Sequence, residues 1–161
     1  MSSESAKIIK NDENNFVYKD QKVLLSELLT RVNADKRIKN LKNIKIFATK
    51  SITFDIDYKI FEERYLTHSP DLIIISPCLI AEKKITIDLS CNRIPPTYKF
   101  NAESGKTNGL PGIHGVDGQP GLPGYNGGNL FIFAKEISQS IKSLEIITNG
   151  GKGGPGQNGK F

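Results

Sequence analysis

Asn108–Gly128 reads NGLPGIHGVDGQPGLPGYNGG, with glycine at 109, 112, 115, 118, 121, 124 and 127. A second run near the end puts glycine at 150, 153, 156 and 159. All 15 glycines of the 161-residue chain lie between Gly105 and Gly159. A strict period of three is the polyproline II period, in which one edge of every turn must be small enough for another chain to lie against it. Such a run cannot be α-helix or ordinary strand, so the rest of the fold has to be built around it.

In the first run the triplets sort into three straight edges. Gly109, Gly112, Gly115, Gly118, Gly121, Gly124 and Gly127 form one. Leu110, Ile113, Val116, Leu122 and Tyr125, with Gln119, form a mainly apolar second. Pro111, His114, Asp117, Pro120, Pro123 and Asn126 form the third. Gly-Leu-Pro occurs twice, and the pattern resembles collagen-like Gly-X-Y repeat proteins over these 19 residues and about ten near the end. The resemblance implies polyproline II segments and, in collagens themselves, an intermolecular triple helix. Six triplets span only roughly 60 Å at the polyproline II rise, and an apolar edge repeated on three chains would be sticky in water. The reading preferred here is therefore polyproline II packing within one chain. A collagen-like trimer and a disordered segment are the alternatives. The second run, Gly150-Gly151-Lys152-Gly153-Gly154-Pro155, has two small edges and suits packing between neighbours. The run stops in mid-period, which leaves open whether the chain is a fragment or truncated product of something longer.

Outside the glycine runs the chain is patterned for β-structure. Ile52, Phe54, Ile56, Tyr58 and Ile60 alternate with Thr53, Asp55, Asp57 and Lys59, the period of a strand with one buried face. Leu72–Ser76 reads as a strand buried on both faces and closed by Pro77. Short strands follow at Leu79–Ala81, Ile85–Leu89, Leu130–Ala134 and Leu144–Thr148. Val23, Leu25, Leu28, Leu29 and Val32 share one helical face, predicting a helix over Asp20–Ala34. The octapeptides Ala48–Asp55 (ATKSITFD) and Ala81–Asp88 (AEKKITID) look alike at a spacing of 33. Brief strands and this pair predict a mainly β fold, a β-solenoid-like body with one N-terminal helix and Gly-X-Y polyproline II segments; a sandwich or meander is the alternative. The predicted segments are a disordered polar leader over 1–19 and a helix with basic linker over 20–42. A β-rich body follows over 43–91, then a collagen-like loop over 92–128, strands over 129–149 and a second glycine-rich segment over 150–161.

Chemistry is thin. The net charge is +5, but both signs are mixed along the first hundred residues, and the basic cluster Lys36, Arg37, Lys39, Lys42 and Lys45 has no interleaved aromatics for stacking on bases. No nucleic-acid partner is expected. Phe100–Thr107 ends like a phosphate-binding loop but lacks its first glycine and any following helix, so no nucleotide is expected either. His68 and His114 have no ligand partners at metal spacing, and Cys78 and Cys91 read as buried thiols. Asp55 and Asp57 share one strand face, which is routine for solvated carboxylates. No apolar run reaches the length of a membrane span and no secretory leader is visible, which predicts a cytoplasmic protein. The resulting expectation is a non-enzymatic structural or interaction protein without cofactors. Its glycines and apolar edge would present a rigid repetitive surface to a protein partner or mediate self-association. The alternative is a piece of a larger β-solenoid carbohydrate-active or host-targeting protein.

Overall fold

The structure is a computed structural model that describes residues 7–11, 14–34, 41–59, 68–81, 83–100, 102, 117–138 and 144–158, with the backbone alone for 7–11. It is mainly β, with eight strands and one helix among the described residues: β1 Lys7–Asn11, β2 Asn15–Leu24, α1 Leu25–Ala34, β3 Asn43–Phe54, β4 Tyr58–Lys59, β5 Asp71–Ala81, β6 Ile85–Asp88, β7 Leu130–Ile137 and β8 Leu144–Ile147. The strands make two sheets, ordered β1-β2-β3-β5-β7 and β4-β6-β8. Every pairing is parallel except β1 with β2. From β3 onward the chain visits the two sheets alternately, one strand in the larger and one in the smaller.

The chain falls into two compact units. The first comprises Met1–Cys91 and Asn126–Asn149 and holds both sheets and the helix. Its core stacks residues from successive strands in columns. Phe16, Ile44 and Leu72 are aligned and fully buried, as are Tyr18, Ile46 and Ile74 one pleat on. Val23, Ile52 and Leu79 continue the pattern past a bulge. Alternation explains the choice of residue: inward positions are Phe, Tyr, Ile and Leu, and outward ones on β2 and β3 are largely Lys, Ser and Thr. α1 packs Leu25, Leu28, Leu29 and Val32 against the core.

The true repeat differs from the octapeptide pair. Asn15-Phe16-Val17-Tyr18, Asn43-Ile44-Lys45-Ile46 and Asp71-Leu72-Ile73-Ile74 lie side by side at intervals of 28 residues. Asn129-Leu130-Phe131-Ile132 follows them beyond the second unit. Ile52 and Phe54 pair with Leu79 and Ala81, so Ala48–Asp55 does not align with Ala81–Asp88. Side-chain hydrogen bonds join the strand starts in two of these pairs. Asn43 Nδ2 donates to Asn15 Oδ1 at 3.0 Å. Asn129 donates to Asp71 Oδ1 from its backbone N–H at 2.8 Å and its Nδ2 at 3.0 Å.

Four local expectations are corrected. Residues 15–19 are the first half of β2 and Lys7–Asn11 is β1, where a disordered leader was expected. The helix starts at Leu25; Asp20–Leu24 is still strand, because ladder partners on β3 outcompete local helical periodicity. β5 runs straight through Pro77, whose missing N–H falls where the β3–β5 register shifts. Finally, β5 is buried on one face only, since Ile75 is 37% exposed.

Candidate interaction surface

The second unit, Asn92–Tyr125 with Gly150–Phe161, joins the two glycine-rich stretches. The described parts of the two runs lie antiparallel and are hydrogen-bonded at every third residue. Gly151 N–H donates to the Tyr125 carbonyl, Gly154 to Leu122 and Gln157 to Gln119, each at 2.8 Å. The intervening residues belong to neither helix nor strand. At each step of this ladder a glycine of the first run makes a small edge at the contact.

That edge is glycine for a steric reason. A Cβ on Gly118 would overlap the carbonyl of Gln157; on Gly121, that of Gly154; on Gly124, that of Gly151. None of these glycines needs a left-handed backbone, so their requirement is close approach alone. The second run is less crowded. A Cβ on Gly153 would stand 3.4 Å from the Leu122 carbonyl, and one on Gly156 3.5 Å from that of Gln119. The two runs therefore share a period but divide the work: the first supplies the small edge, the second the carbonyls that press on it.

A third segment lies alongside. The position of a Cβ on Gly154 would be 3.5 Å from the Pro95 side chain, and Ala102 N–H donates to the Asn158 carbonyl at 2.9 Å. Tyr98 Oη donates to the Pro120 carbonyl at 2.9 Å. Gln157 ties all three segments together: its Oε1 accepts from Gln119 N–H at 3.1 Å and its Nε2 donates to the Phe100 carbonyl at 3.1 Å. Reading by triplet edges overlooks Gln157 and Tyr98, because nothing in the period singles out a side chain that reaches sideways. Their one signal in the sequence is that each is a long polar or aromatic residue amid Gly and Pro.

Of the predicted site residues, Gly118, Gly121 and Gly124 meet in this ladder. Gly127 lies in the first unit, where a Cβ would stand 2.8 Å from the carbonyls of Thr148 and Asn149. Leu122 does not pack inward: it is 42% exposed, and Tyr125 is half-buried. Gly109, Leu110, Gly112, Ile113, His114, Gly115 and Val116 lie outside the described residues. The faces turned outward along the three segments carry Arg93, Ile94, Tyr98, Phe100, Gln119 and Lys152.

The aspartates of the first unit are engaged in local hydrogen bonds. Asp55 Oδ1 accepts from Ser26 N–H at 3.0 Å and Oδ2 from Ser26 Oγ at 2.5 Å, which caps the start of α1. Burial pushes its carboxyl up, but the Ser26 hydrogen bonds outweigh that and hold it below the usual carboxylate range. Asp57 Oδ1 accepts from Thr86 N–H at 2.8 Å. Asp88, likewise lowered against its own burial by Ser90 and Lys59, receives Ser90 N–H at 2.9 Å and lies 3.3 Å from Lys59 Nζ. Cys78 and Cys91 are free thiols, half-buried and buried. A depression of about 410 Å³ beside Ile75, Pro77 and Phe133 has a single charged group, Lys135, on its wall. Among the described residues no three His, Cys, Asp or Glu side chains cluster as metal ligands, and no helix is long and apolar enough to cross a membrane. No family model, curated protein or solved structure matches the chain.

Proposed function

We propose that this chain is a non-enzymatic structural or interaction module. In this reading one unit is a β-solenoid with Asn/Asp pairs at its strand starts, and the other is a bundle of polyproline II segments that serves as the display surface. The observation that carries the reading is the ladder Gly151–Tyr125, Gly154–Leu122 and Gln157–Gln119, one bond per three residues within a single chain. That ladder uses the glycine edge which a collagen triple helix would need for its own axis, so it favours packing within the chain over trimerisation. A surface of this kind is rigid, has a three-residue repeat and exposes proline, aromatic and cationic side chains, the features that suit it to recognition by a protein partner.

Amide hydrogen exchange on the intact chain tests the reading. The amides of Gly151, Gly154 and Gln157 are expected to exchange slowly while those of Lys152, Gly153 and Gly156 exchange fast, at every protein concentration. Uniformly fast exchange, or protection that grows with concentration towards a three-copy mass, would set the reading aside. Binding is tested separately: a bound partner should slow exchange across residues 93–100 and 117–125 of the same bundle.

A further inference from the structure

Four residues of the second unit form a motif that the glycine period does not explain, Pro95-Pro96-Thr97-Tyr98. They belong to neither helix nor strand. Each proline fixes its own φ and drives the residue before it out of the helical region, so the Pro-Pro step is set as polyproline II before anything binds it. A polyproline II turn returns every three residues, which puts Pro95 and Tyr98 on one edge and Pro96 and Thr97 off it. The contacts follow that division. Pro95 is buried, its side chain 3.5 Å from where a Cβ on Gly154 would stand. Tyr98 Oη donates to the Pro120 carbonyl at 2.9 Å. Pro96 and Thr97 are exposed. Tyr98 still keeps 37% of its surface in water, and on either side of the motif Ile94 and Phe100 are 59% and 80% exposed.

We propose that Pro95-Pro96-Thr97-Tyr98 is a recognition segment for a protein domain with an aromatic-lined groove of the WW kind, held partly closed by its own bundle. The proposal names the partner of the interaction module above and rests on that reading. Grooves of this kind clasp proline rings between aromatic side chains, and one class of them takes Pro-Pro-x-Tyr, seating the tyrosine in an adjoining pocket. The segment suits such a groove because its backbone is already ordered, which lowers the cost of binding. Its tyrosine stands one full turn from the first proline, and Ile94 and Phe100 extend the apolar contact on both sides. Pro95 and Tyr98 are also the two groups that the bundle uses. A groove has to displace the Gly154 and Pro120 contacts to seat them, so binding and closure compete, and the apparent affinity falls with the fraction of chains that are open. Little apolar burial opposes the opening, since Pro95 and Ala102 alone are buried among the described residues of this unit.

Titration of the full chain against an isolated WW domain that takes Pro-Pro-x-Tyr ligands tests the proposal. The chain has no tryptophan, so the fluorescence of the probe's own tryptophans reports binding. The native chain is expected to bind weakly, and Gly121→Ala, whose ladder is opened, about tenfold more tightly or better. Adding Pro96→Ala or Tyr98→Ala to Gly121→Ala should abolish binding. No binding by Gly121→Ala overturns the proposal, as does binding that survives loss of Pro96 or Tyr98, or a native chain that binds as tightly as Gly121→Ala. Exchange at the Gly154 amide keeps this proposal apart from the reading it rests on. Slow exchange in the native chain and fast exchange in Gly121→Ala uphold the bundle whatever the titration gives. An amide already fast in the native chain sets the bundle aside, and the closure with it. If Gly121→Ala aggregates, the native chain decides: affinity that rises with temperature in step with Gly154 exchange supports the proposal, and affinity that falls throughout overturns it.

Discussion

At the scale of single residues the glycines divide into two kinds that their common period conceals. Gly118, Gly121 and Gly124 face carbonyl groups with no room for a methyl, whereas Gly153 and Gly156 stand at ordinary contact distance. Backbone cannot move aside as a flexible side chain can, so Gly121→Ala is expected to cost about 1–3 kcal/mol or to open the ladder outright. Gly153→Ala should change stability by no more than about 1 kcal/mol, in either direction, because the smaller entropy of the unfolded chain offsets a slight tightness. Exchange at the Gly154 amide separates the two outcomes: fast in Gly121→Ala, still slow in Gly153→Ala. Equal behaviour would mean that close approach does not explain the glycine edge. The period of three is plain in the sequence; which strand of the pair supplies the small edge is not, because that depends on which carbonyls face it.

At the scale of elements, α1 is a ten-residue helix, too short to persist alone in water, and it is held by its buried face and its cap. Asp55 reaches it from the end of β3, 29 residues away in sequence, to accept two hydrogen bonds from Ser26. A carboxylate also suits the positive end of the helix dipole. Because the folded-state pKa of Asp55 lies below its unfolded value, the group's stabilisation is complete above the unfolded value and fades as pH falls through the folded one. Melting curves of the native chain and Asp55→Asn should therefore differ most near neutral pH and converge in acid. A gap that stays constant with pH would show that the charge contributes nothing. The helix was legible from its apolar spacing, but its start was not: Val23 fits both the helical face and the strand column with Ile52, and the ladder partner prevailed.

At the scale of the whole molecule the two units bury very different amounts. The first has a contiguous core of aliphatic and aromatic side chains at or near zero exposure. Among the described residues of the second, only Pro95 and Ala102 are buried. Hydrogen bonds in such a unit are backed by little apolar burial, so its amides should lose protection at lower temperature or denaturant than those of Ile46, Ile74 or Ile52. A single cooperative loss across both units would mean that they unfold as one. The 28-residue interval is present in the sequence as Asn-Phe, Asn-Ile and Asp-Leu steps, yet the octapeptide pair at a spacing of 33 is the stronger likeness there. A ladder demands only that inward positions be apolar and that one polar residue open each turn, so very different sequences satisfy it.

Periodicity alone marks the local pattern: glycine at every third residue leaves one bare edge, and alternating apolar residues favour strands. Tertiary structure alone decided what those edges meet. A period states that a face is small or apolar; its partner is chosen by closure of the chain, which brings Gln157 to Gln119 and Asn129 to Asp71. Those contacts span 38 and 58 residues. Pairings at such range follow from the packing of the whole chain, and no local window of sequence contains them.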